Sequence, residues 1–168
     1  MLTIGAMILL STIILRTNST ILSTQDNMVS SKVYIMALSK ARAIIEEASG
    51  KNFDERAISS GFTSSSSFGK EGNERYPSPG YDDFDDFVSY SNDVPVDIIQ
   101  GIPFNVIVKV NYVNVSAAGA ISNSSSTTLH KQMTVGVTSR FMTNPMKITS
   151  TNPNGQDTVY MVNYYSYW

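Results

Sequence analysis

Cysteine is absent from the 168 residues, which rules out disulfides, thiolate metal sites and cysteine nucleophiles. Histidine occurs once. His130 stands beside a polar loop with no Asp or Glu close in sequence, so it reads as a solvated loop residue and gives a His-dependent triad no support. Charge is scarce, at 15% of residues, and its 12 basic and 14 acidic side chains are spread along the chain. No basic run marks a nucleic-acid or anionic-membrane partner. No nucleophile–base pair, metal cluster or phosphate-binding loop is visible. The chain reads as a non-enzyme with no cofactor, no small-molecule substrate and no nucleic acid.

What is present begins with MLTIGAMILLSTIIL, fifteen residues without a charge, whose polar members are Thr3, Ser11 and Thr12. At 1.5 Å per residue the run is roughly 22 Å long, short of a ~30 Å hydrocarbon core. Extending it takes in Arg16 and Asn18, which makes it a weak membrane span unless Arg16 snorkels. As a secretion signal it lacks a basic leading region. Downstream, Val29, Val33, Met36, Ala37, Ala41, Ile44 and Ala48 recur at three- and four-residue steps and predict one apolar face of a helix that stops at Gly50. The first helical half is therefore apolar all round and the second on one face only. A helix apolar on every side must be surrounded on every side. The economical arrangement has residues 1–27 protruding to pack among copies of the chain, and residues 28–168 forming a globular part.

Between the halves lies RTNSTILSTQDN, rich in poor helix formers, and a break is expected around residues 17–25. Residues 28–49 form the amphipathic half, 50–100 an irregular connection pinned by Phe53, Phe62, Phe68, Phe84 and Phe87, and 101–168 a sheet. In the connection, YDDFDDF reads as a solvated acidic turn held by its aromatics. Asp82, Asp83, Asp85 and Asp86 are weak calcium candidates, because the spacing is not that of an EF-hand. The sheet is legible by alternation: Ile102, Phe104, Val106, Val108, Val110 and Tyr112 on one strand, then Met133, Val135 and Val137 on a second. A turn at Asn154-Gly155 precedes a third strand ending YYSYW, expected to be paired and buried at its base, and SAAGAISNSSSTT reads as an exposed polar loop. The fold class is α+β: a long N-terminal helix, apolar then amphipathic, packed on a C-terminal antiparallel meander.

This layout resembles a type IV pilin-like subunit. The resemblance is carried by the opening apolar run with its amphipathic continuation, and more loosely by YDDFDDF and the strand-rich tail. It implies a structural subunit of an extracellular helical filament, a homo-oligomer held in the inner membrane before assembly. Met1, Leu2, Ile4, Met7, Ile8, Leu10, Ile13, Ile14 and Leu15 would make the subunit contacts. A minor pilin, a secretion-system pseudopilin or a membrane-anchored surface binding module are the alternatives. The chain departs from such pilins in having Gly5 where a glutamate usually stands, its first acidic residue being Asp26. A basic leader is also missing from the chain. Either Met1 is the processed terminus, or it is an initiator and the prepilin reading fails.

Overall fold

The computed structural model describes residues 2–55, 61–77, 79–152 and 154–167, apart from the side chains of residues 2 and 145. Met1 and Trp168 lie outside the described residues, and of Leu2 only the backbone is described. Helix α1 runs Leu2–Ser49 as one element. At 1.5 Å per residue it is about 72 Å long. The break expected at residues 17–25 is not there. The hydroxyls expected to compete with the helix are accommodated within it: Thr17, Thr20 and Thr24 each donate to the carbonyl four residues back, at 2.9 Å. Helix α1 ends where Gly50 N–H reaches the Glu47 carbonyl at 3.2 Å.

Four strands form an antiparallel meander in the order β1 (Asp97–Ile99), β2 (Ile102–Val115), β4 (His130–Thr143), β5 (Gln156–Ser166). Strand β1 falls within the stretch assigned to irregular connection. It pairs with β2 through a two-residue turn, Gln100 at φ +50° and Gly101 at φ +79°, the left-handed pair that suits the twist of a hairpin. The polar loop after β2 also carries order. Strand β3 (Ile121–Asn123) folds back on Val113–Val115. Gly155, at φ +60°, closes the β4–β5 connection, where a Cβ would meet the Asn144 carbonyl oxygen at 2.6 Å. Strand β5 is paired to β4, as expected, and forms the packed edge of the sheet; its described residues are half-buried to exposed, so it is not the buried base.

The layers meet as the alternation predicts. Phe104, Val106, Val108, Val110 and Tyr112 of β2 and Met133, Val135 and Val137 of β4 are buried, with Ile102 packed at the margin. Against them α1 lays Val33, Ala37, Ala41, Ile44 and Ala48, with Met36 half-buried beside them. Ile45 joins this face although the stripe omitted it. Val29, assigned to the same packing, is 59% exposed because it lies beyond the end of the sheet. Polar ties hold the helix to the sheet: Lys40 pairs with Asp97 of β1 at 2.5 Å, and the Tyr34 hydroxyl donates to Asp157 of β5 at 2.9 Å. Burial works against the Lys40 charge, but Asp97 and the Tyr90 hydroxyl raise its pKa to about 12.

Candidate functional site

Two features stand apart from ordinary packing, and the first is the N-terminal half of α1. Every described side chain from residue 3 to residue 29 is exposed. Ile4, Met7, Ile8, Leu10, Ile13, Ile14 and Leu15, the residues assigned to assembly, are all among them, with Ile8 at 61% and Leu15 at 69%. Leu9, Ile21, Leu22 and Met28 extend the apolar surface round and along the helix. The accessible surface of the chain is 10,879 Å², about 2,700 Å² more than the roughly 8,200 Å² expected of a folded 18.4 kDa monomer. A projecting helix accounts for the excess. The helix is long and apolar enough to cross a membrane by length and composition. Where it leaves the domain, a groove between α1 and Gln100 is lined by Met28, Ile35 and Met36, so the apolar surface continues to the domain edge. Around Gly5 there is open space where a side chain would stand.

The second feature is a cluster of carboxylates under the loop that joins α1 to the sheet. The acidic turn is not solvated: Asp83, Asp85 and Asp86 are buried, and of the four candidates only Asp82 is exposed. Phe84 and Phe87, both fully buried, carry the segment into the core and take the intervening aspartates with them. Asp85 meets a buried cation, Lys131 of β4, at 2.5 Å. Lys131 Nζ also donates to the Phe53 carbonyl at 2.6 Å and stands 3.7 Å from Asp54. Its ammonium lies 4.4 Å from the centre of the Phe53 ring and 5.1 Å from that of Phe68. Lys131 thus ties residues 53, 54 and 85 to the central sheet. Its position was readable, since it alternates in phase with Met133, Val135 and Val137, but a lysine in that register was passed over.

Asp83 accepts the backbone N–H groups of Asp85 and Asp86, at 3.0 and 3.2 Å. Asp86 Oδ2 in turn accepts those of Asp82 and Asp83, each at 3.1 Å. One carboxylate oxygen each from Glu71, Glu74 and Asp86 lies within 4.8 Å of the others, and Glu74 makes a second such group with Glu55 and Asp82. Glu55, Glu71 and Glu74 carry no ligand spacing in the sequence: Glu55 stands in KNFDER and the other two in GKEGNERY. His130 is not in a loop. It opens β4 and its Nδ1 lies 2.8 Å from Ser166 Oγ, its partner in the sheet register.

Burial first, and then the neighbouring Asp83 carboxylate, push the Asp86 carboxyl up to about 8. Burial and Asp85 raise Asp83 to about 6. Both groups hold their protons more tightly in the folded chain than in the unfolded one, where the ordinary value is 3.8. Their contribution to stability is full below about pH 4 and is lost as pH rises through 6 and then 8. With EDTA present, the urea midpoint should fall from pH 5 to pH 8, and Asp86→Asn should flatten that fall. Identical slopes in the two proteins would refute the assignment. Asp157, held low by Lys147, acts below this range.

No family model matches the chain, and neither a curated protein nor a solved structure matches it.

Proposed function

We propose that the protein is a structural subunit of an extracellular helical filament of the type IV pilus kind, assembled through the apolar half of α1 and held in the inner membrane before assembly. The observation that carries this reading is the exposure of residues 3–29 on every side of the helix. Water is a poor environment for that surface, and neighbouring helices or lipid are its two satisfactory ones. The domain needs nothing from it, because the buried hydrophobic cluster begins at Val33. Head-to-tail contacts between copies are heterologous and grow open helices. If a neighbour covers about 1,000 Å² of apolar surface, the gross gain is ~25 kcal/mol before ordering costs.

A minor or pseudopilin-type subunit would use the same surface and differ in abundance within sheared fibres. The second reading, a tethered surface module, is favoured by one observation: the helix meets the length and hydropathy of a membrane span. The two readings part when residues 3–27 are exchanged for an unrelated apolar helix of equal length. A filament subunit then stays in the membrane and forms no fibres by negative-stain imaging, whereas a tethered module keeps its surface display and binding. A full-length protein that is a detergent-free monomer would refute assembly outright.

A further inference from the structure

A buried carboxyl oxygen with no donor keeps a proton or exchanges it for a cation, since the bare charge is costly there. Asp86 has no exposed surface, and while its Oδ2 is occupied by two backbone N–H groups, its Oδ1 has no hydrogen-bond partner among the described residues. That carboxylate belongs to the triangle it makes with Glu71 and Glu74. The two glutamates are fixed by a turn, in which Glu74 N–H reaches the Glu71 carbonyl at 3.1 Å and Glu71 N–H reaches Glu74 Oε2 at 2.9 Å.

We propose that Glu71, Glu74 and Asp86 form a calcium site, with Asp86 Oδ1 as its buried ligand. The donors are all hard oxygens. Calcium takes them at about 2.3–2.6 Å, a reach at which one ion can touch oxygens that all lie within 4.8 Å of one another. Magnesium needs a tighter octahedral set and gives up water reluctantly, which an irregular loop does not provide for. Glu71 and Glu74 are half-exposed, so the ion has a path from solvent and keeps waters to complete its coordination. Glu55 and Asp82, grouped with Glu74 at the surface, add negative potential along that path. The bound ion would fasten residues 71–74 to the buried turn at 82–86, within the long connection between α1 and β1. The proposal is independent of filament assembly.

The test uses the full chain in detergent, stripped with EDTA and desalted, with calcium chloride followed by titration calorimetry and thermal unfolding. At a hundredfold excess over Kd the wild type should gain about 5–10 °C in Tm. Glu74→Gln and Asp86→Asn should each remove most of that gain, and Glu46→Gln, on the exposed face of α1, should keep it. If Asp86→Asn fails to fold, Glu74→Gln decides, because glutamine still accepts from Glu71 N–H. No gain in the wild type, or an undiminished gain in Glu74→Gln, overturns the site. An equal gain from magnesium chloride overturns its assignment to calcium.

Discussion

Ile8→Lys should abolish fibre formation while leaving the globular part folded. The expected loss follows from where Ile8 stands. It is 61% exposed on a stretch of helix where every described side chain is exposed, so the isolated subunit has almost nothing to lose from the change. Packed among other helices, the same position would hold an ammonium in an apolar medium. A lysine at the centre of a membrane-spanning helix costs ~2.5–3.5 kcal/mol, and an equal cost per subunit would raise the critical concentration for assembly on the order of a hundredfold. Ile13→Asp should behave alike. Sedimentation and negative-stain imaging read the polymer, and the melting of the domain serves as control. Fibres of normal yield from Ile8→Lys would remove residues 3–15 from the interface.

Lys131→Met should cost about 3–5 kcal/mol, the usual effect of removing one partner of a buried ion pair. Methionine fills much the same volume, so the loss would be electrostatic: Asp85 and Asp54 would be left buried without their cation, and the Phe53 carbonyl would lose a donor. The second substitution makes the argument specific. Asp85→Asn in the Lys131→Met background should recover a substantial part of the loss, since the uncompensated charge goes with it. Urea unfolding of the four proteins gives the coupling directly. A loss below about 1 kcal/mol for Lys131→Met would mean that water reaches the cluster and that the pair is no tie.

The parts of the fold that were legible from sequence are those whose signal repeats locally. The stripe Val33, Ala37, Ala41, Ile44, Ala48 and the alternation along β2 and β4 are set by 3.6- and 2-residue periods, and both faces pack as those periods require. Val29 shows where a period stops being informative, because the pattern runs on after the sheet has ended. The three-residue strands β1 and β3 were too short to show alternation, and they exist because β2 offers them an edge. The acidic turn failed for a different reason. Asp83, Asp85 and Asp86 are drawn inward by Phe84 and Phe87, and the charge of Asp85 is met by Lys131, 46 residues further on, a pairing that only the fold brings about. Glu71 and Glu74 were invisible for the same cause: their grouping with Asp86 is tertiary, and no spacing in GKEGNERY foretells it.

The threonines along α1 carry a mechanical consequence. Thr12, Thr17, Thr20 and Thr24 turn their hydroxyls onto the carbonyls of the preceding turn, a habit that weakens and curves a helix slightly. Three of them, Thr17, Thr20 and Thr24, lie between the apolar run that ends at Leu15 and the packed segment that begins at Val33. Curvature of α1 should therefore concentrate between Thr17 and Thr24, while the segment from Val33 onward, held against the sheet, stays straight.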